Sequence, residues 1–242
     1  MRAHVVPLGS GCSGAVFDRF GGVSAPPYGE LNLAANTGDD PSAVTENRMR
    51  AAEAVGLEAV QVAWMTQVHG TDVAVLAQAP AAPVDGVDAL VTSKAGVALA
   101  VLVADCVPVL LADAGAGVVA AAHAGRRGAS DGVLTATLSA MQELGARPAS
   151  IRVHLGPSIC GRCYEVPSEL QSEVAARLPA ARCTTGAGTP GLDLRAGLHE
   201  QLRNAGVGHV TVSSACTVED PTLFSYRREG RTGRFAGLVW RR

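Results

Sequence analysis

The segment GVALAVLVADCVPVLLADAGAGVVAAAHAG, residues 96–125, constrains the fold more than any other part of the chain. It holds three apolar runs, 97–104, 107–112 and 118–122, and none of them alternates apolar with polar residues. Runs this rich in leucine and β-branched residues read as strands buried on both faces. Asp105-Cys106 separates the first two, and the turn signal Asp113-Ala114-Gly115-Ala116-Gly117 separates the last two. Asp105 and Pro108 interrupt the hydrophobic stretch, so it is not a membrane span.

Helical patterns interleave with these strands. Asp40-Pro41 reads as an N-cap with proline at the first helical position, opening a helix over 41–55 that Gly56 ends. Further helices are expected over 130–144, 168–178 and 192–205, and further strands over 60–68, 151–155, 209–213 and 236–240. An α/β (mixed α+β) layered sandwich with a mixed β-sheet follows. The chain has 242 residues, 48% of them hydrophobic, enough to fill a sizeable core. One compact domain over 1–242 is expected, because no polar or low-complexity linker divides the chain. QAPAAP, at 78–83, reads as a short surface loop.

The formal net charge is −2, which gives no electrostatic footprint for nucleic acid or membrane. The opening MRAHVVPLGSGCSG lacks the apolar core of a signal peptide, so a cytoplasmic protein is expected. In that compartment the cysteines at 12, 106, 160, 163, 183 and 216 are thiols for ligation, chemistry or packing rather than disulfides.

Three potential ligands share one local setting. His69 follows the strand expected to end at Thr66-Gln67-Val68, Cys106 follows the one ending at Ala104, and His123 follows the one ending at Ala122. On neighbouring strands with aligned ends, all three would converge on one rim of the sheet. Two histidines and a thiolate leave a fourth tetrahedral position open, as catalytic zinc requires; ordinary packing is the competing explanation. Cys160-Gly161-Arg162-Cys163 is the sole C-x-x-C, and a full structural zinc site needs a second pair, so a structural or incidental role is expected. Gly125-Arg126-Arg127-Gly128, Asn47-Arg48 and Ser225-Tyr226-Arg227-Arg228 are candidates for holding phosphate or carboxylate, with solvated surface as the alternative. The glycines around Arg126-Arg127 would let the backbone approach a ligand closely. His4, His154, His199 and His209 have no partner pattern. Ser10-Gly11-Cys12-Ser13-Gly14 lacks the Gly-Lys-Ser/Thr ending of a P-loop.

Several segments then occur in a recognisable order: FGGVSAPPYGELNLAANTGDDPSAVTENRMR, TQVHGTDV, ADCVPVLLAD, VVAAAHAGRRGA, LGPSICGRCYEV and CTVEDPTLFSYRREGRTGR. Together they resemble the laccase-domain family. Its members are described as polyphenol oxidases, as bacterial purine nucleoside phosphorylases and as peptidoglycan editing factors. The resemblance implies a compact mixed α/β sandwich and a metal bound by the histidine of Q-V-H-G, the cysteine of A-D-C-x-P and the histidine of H-A-G. These fall on His69, Cys106 and His123. The family usually has tryptophan after H-A-G, where this chain has Arg126; Arg127 matches the usual arginine.

The leading functional expectation is phosphorolysis of adenosine, inosine, guanosine or methylthioadenosine to base and ribose 1-phosphate. Asn47, Arg48, Gln67, Arg127 and Arg227 are expected to bind nucleoside and phosphate. Adenosine deamination is a companion expectation, since zinc, with copper as the alternative metal, lowers the pKa of its water to about 7 and supplies hydroxide for C6 of adenine. Glu165 is the expected proton carrier. The runner-up is a hydrolase editing peptidoglycan precursors, with Cys106 as nucleophile and His123 as base. Copper-dependent phenol oxidation ranks below both, because a multicopper centre needs more histidines than this chain sets in ligand patterns.

Overall fold

In a computed structural model that describes residues 2–242, two mixed sheets stack face to face. The first orders its five strands Ala3–Pro7, Cys12–Phe17, Phe235–Arg241, Ala98–Val103 and Val62–Ala63. The second orders six: His209–Val212, Arg152–Leu155, Val107–Asp113, Val118–Ala124, Ala89–Thr92 and Val73–Val75.

Strand parity explains the apolar runs. In Val107–Asp113, Val107, Val109 and Leu111 face a core shared with the helices Val133–Glu143, Ser168–Arg177 and Leu194–Asn204, while Leu110 and Ala112 face the other sheet. Val118–Ala124 divides the same way. Alternation over a period of two therefore buries every position. The first sheet repeats the arrangement: Leu99, Val101 and Val103 enter the seam between sheets, and Ala98 and Ala100 turn to an outer core with Ala51 and Ala52 of the helix Pro41–Glu53. The layers run helix, sheet, sheet, helix.

The expected helix at 130–144 begins earlier, at Arg126–Asp131, and restarts as Val133–Glu143 after Gly132. The strand expected over 60–68 is reduced to Val62–Ala63 and Met65–Thr66. The strand expected to stop at Ala122 continues to Ala124, so His123 lies inside it rather than after it. The hairpin Ala3–Pro7 with Cys12–Phe17 was not anticipated; its second strand completes the sheet against Phe235–Arg241. Among the described residues no helix is long and apolar enough to cross a membrane.

The seam is close-packed at Leu110. A Cβ on Gly14 would lie 3.2 Å from Leu110 Cδ1, and one on Gly237 would lie 3.2 Å from Leu110 Cδ2. The leucine thus fills the space left by two glycines of the facing sheet. Leu110→Ala should destabilise the fold by about 3 kcal/mol, as a buried leucine cavity does; urea unfolding measures the change.

Candidate metal centre

The seam ends in a cavity of about 480 Å³, and His69, Cys106 and His123 all line it. Their ligand atoms lie within 4.8 Å of one another. Cys106 Sγ is 3.8 Å from His69 Nε2, and the two imidazoles meet edge to face with centroids 4.7 Å apart. Zinc bonds of about 2.0 Å to nitrogen and 2.3 Å to sulfur separate tetrahedral ligand atoms by roughly 3.5 Å, so one ion spans the set. The donor chemistry fits a borderline metal.

Asp88 organises the centre, and nothing local in the sequence points to it. It is fully buried before the strand Ala89–Thr92. Its Oδ1 accepts from His123 Nδ1 at 2.7 Å and from the His69 amide at 3.0 Å; Oδ2 accepts from the amides of Gly70 at 2.7 Å and Val68 at 3.1 Å. With Nδ1 committed, His123 presents Nε2 to the cavity. Burial alone would raise the Asp88 carboxyl, but the bonds from His123, Gly70 and Val68 outweigh it and hold the group below its ordinary value.

One ligand and the neighbour of another carry unusual backbone. His69 has φ 62° and Asp105, next to Cys106, has φ 90°. Such conformations cost energy in residues with a Cβ and persist where surrounding bonds enforce them. Three amides on Asp88 enforce the first. The second is held by Asp105 Oδ1, which accepts from Thr217 Oγ1 at 2.6 Å and Ser225 Oγ at 2.7 Å, and by Oδ2, which accepts from the Arg227 amide at 2.6 Å.

The glycines around Arg126-Arg127 make close approaches within the protein itself. A Cβ on Gly125 would lie 2.6 Å from His69 Cδ2 and 3.2 Å from Cys106 Sγ, and one on Gly128 would lie 2.7 Å from the Gly70 carbonyl. Both residues are glycine so that the His69 loop can pack against the end of the strand bearing His123.

The other expected site residues divide. Arg48, Gln67 and Arg227 line the cavity. Arg48 stacks over Trp64 and donates to the Leu33 carbonyl; burial lowers its pKa to about 10, so it remains charged at neutral pH. Gln67 donates to the Leu102 carbonyl at 2.7 Å and accepts from the Leu102 amide at 2.8 Å, fastening the loop before His69. Asn47, Arg127 and Glu165 lie outside the cavity lining. Asn47 is buried, its amide committed to Ser24 Oγ and the carbonyls of Glu30 and Asn32. Arg127 and Glu165 are exposed, although the Glu165 carbonyl accepts from Arg227 Nη1. Arg126 rather than Arg127 reaches the cavity, together with Tyr164, Tyr226 and Arg234.

Fold and site define a layered α/β protein with a His₂Cys centre at the open end of its inter-sheet seam. The chain belongs to the multi-copper polyphenol oxidoreductase laccase family, whose model matches residues 13–242. A Streptomyces coelicolor protein named purine nucleoside phosphorylase is 58% identical over 92% of this chain and 93% of its own length. A Mycobacterium tuberculosis protein of the same name is 54% identical over 92% of this chain and 89% of its own. Among solved structures, NMB0706 of Neisseria meningitidis superposes with a TM-score of 0.89 at 37% identity, covering 99% of this chain and 98% of that one. YlmD of Geobacillus stearothermophilus gives 0.89 at 35% identity, over 96% and 93%.

In the metal-free chain burial raises the Cys106 thiol, but the charge and hydrogen bond of His123, then those of His69, bring it down to about 6. The thiolate forms above that value. Alkylation of Cys106 in metal-free protein, followed by mass spectrometry, should therefore rise with pH through about 6 rather than near the free-thiol value of about 8.5. In a Cys163→Ser background, Gly125→Ala should abolish metal retention at the His69–Cys106–His123 set, read by elemental analysis of a variant whose circular dichroism is unchanged.

Proposed function

We propose that this protein is a purine nucleoside phosphorylase that acts on adenosine, inosine, guanosine or methylthioadenosine. One observation carries the reading: the cavity joining the His₂Cys set also presents four guanidinium groups, Arg48, Arg126, Arg227 and Arg234. Its one lining carboxylate among the described residues, Asp105, has both oxygens committed to Thr217, Ser225 and the Arg227 amide. A site so constituted favours a small anion beside an uncharged, partly apolar ligand, and its volume suits one. The names carried by the Streptomyces and Mycobacterium relatives agree with it.

In the reaction a phosphate oxygen bonds to C1′ of the ribose, the glycosidic bond breaks, and the base leaves with the electron pair. Arg227 stacks on the Tyr164 ring, and Arg126 lines the same cavity. This pair would hold phosphate against C1′, with Arg48 and Arg234 on the wall around Leu33 for the nucleoside hydroxyls. Tyr164 and Tyr226 offer faces for the base. His69, Cys106 and His123 would hold zinc, which supplies Lewis acidity beside the reacting groups. Adenosine deamination is the companion activity we propose for the same cavity. Phenol oxidation fits less well, because His4, His154, His199 and His209 stand outside the ligand cluster and a multicopper centre lacks its histidines.

A second reading rests on a different feature of the same residues. Cys106, His123 and Asp88 line up as nucleophile, base and orienting acid, with His123 raised to about 9 by the facing thiolate and Asp88 despite its burial. An amide hydrolase of peptidoglycan precursors would use them so.

Product chromatography with adenosine and inosine, with and without phosphate and after chelation, tests both. Phosphorolysis predicts base and ribose 1-phosphate only with phosphate, and loss on chelation; deamination predicts inosine without it. An absence of nucleoside turnover under every condition would overturn the proposal and favour the hydrolase, which survives chelation. Arg227→Ala should raise the KM for phosphate about 10- to 100-fold, matching a charge-assisted hydrogen bond of about 1.5–3 kcal/mol, with a smaller change for the nucleoside.

A further inference from the structure

A second cluster of metal-ligating atoms lies away from the first. Cys160, Cys163, Cys216 and Glu219 bring three Sγ atoms and a carboxylate oxygen within 4.8 Å of one another. All of these cysteines are free thiols. Two short turns build the cluster. The Cys163 amide donates to the Cys160 carbonyl at 3.0 Å, and the Glu219 amide donates to the Cys216 carbonyl at 3.2 Å. Each turn places its first and fourth side chains together, so C-x-x-C meets C-x-x-E. The sequence offers no second C-x-x-C, but the fold brings a C-x-x-E beside Cys160-Gly161-Arg162-Cys163.

The two turns cross-connect closely. Cys163 Sγ donates to Glu219 Oε1 at 3.4 Å, and the Cys160 amide donates to Cys216 Sγ at 3.4 Å, each across 56 positions of sequence. Ser158 and Cys216 form a parallel bridge beside them. The Cys160 amide turned onto Cys216 Sγ is the kind of outer-shell hydrogen bond that a metal-bound thiolate needs. Arg162, at 3.6 Å from Glu219, is 80% exposed and offers only a solvated pair.

We propose that Cys160, Cys163, Cys216 and Glu219 form a structural zinc site that fastens the 158–164 loop to the 213–225 segment. Four protein ligands close the coordination sphere, as in structural rather than catalytic zinc sites. Tetrahedral Zn–S bonds of about 2.3 Å require sulfurs about 3.8 Å apart, within reach of small side-chain rotations from the present spacing. A disulfide would use two sulfurs and leave Glu219 without a role, whereas the carboxylate completes a zinc set. The position has a consequence for the cavity. Ile159 and Tyr164 of one segment line it, and Thr217 of the other donates to Asp105 beside Cys106. Zinc here would hold the cavity wall without touching substrate.

The site is independent of the proposed activity, and its test is too. Full-length Cys106→Ala breaks the first centre and leaves the second intact. After gel filtration this variant should retain one zinc per chain. With cobalt(II) in its place it should show thiolate-to-cobalt charge-transfer absorption in the near ultraviolet. Adding Cys163→Ser should remove both signals; adding Glu219→Gln, which keeps every thiol, should weaken zinc about tenfold or more in chelator competition. If Cys106→Ala binds neither zinc nor cobalt while its thiols titrate freely, the proposal is overturned. A Cys160–Cys163 or Cys160–Cys216 disulfide in freshly purified protein would overturn it as well.

Discussion

The buried carboxylate of Asp88 is the interaction on which the rest of the site depends. One side chain orients His123, carries the three amides that bend the chain through His69, and so fixes the distance between two imidazoles. Its own carbonyl accepts from the His123 amide at 2.7 Å, binding the same two residues again through the backbone. A fully buried carboxylate is costly unless every lone pair is used. Here the desolvation is offset by four hydrogen bonds, and the histidines gain their rigidity from that arrangement.

The layers give this organisation its place. Two sheets with helices on their outer faces make a dry seam, and the His69–Cys106–His123 set stands where the seam opens. His123 belongs to the sheet interior and Cys106 to the turn between two seam strands, so neither can move without moving a strand. The arginines come from elsewhere: Arg48 from the helix Pro41–Glu53, Arg126 from the start of Arg126–Asp131, and Arg227 from Tyr226–Glu229. Cation sources from three elements thus converge over one rigid ligand set, which is how separate positions of the chain make a single anion-seeking cavity.

Much of this was legible in the residues. The runs around Asp105-Cys106 and before His123 announce strands by composition, and adjacent runs with ligands at their ends imply a shared rim. The helix Pro41–Glu53 was announced by Asp40, whose side chain accepts from the Ser42 amide. Other features were silent for physical reasons. Asp88 acts only once Ala89–Thr92 pairs with Val118–Ala124, a non-local register that no neighbouring residue encodes. The glycines and serines of GSGCSGAVF give no strand pattern, yet Cys12–Phe17 is a strand and Gly14 leaves room for Leu110. Arg126 and Arg127 are adjacent, and only the helix that begins there sends one inward and the other to solvent. The partner of C-x-x-C was hidden because its second half ends in glutamate.

The most direct measurement compares zinc affinity and phosphorolysis in Asp88→Asn and the unsubstituted chain, both in a Cys163→Ser background so that the His₂Cys centre alone is read. Asparagine keeps the size of the side chain but offers one acceptor where the carboxylate offers two. The account predicts that zinc affinity falls about 10- to 100-fold, with turnover falling alongside it and recovering as zinc is raised. An Asp88→Asn chain that binds zinc and cleaves nucleoside as the parent does would contradict it.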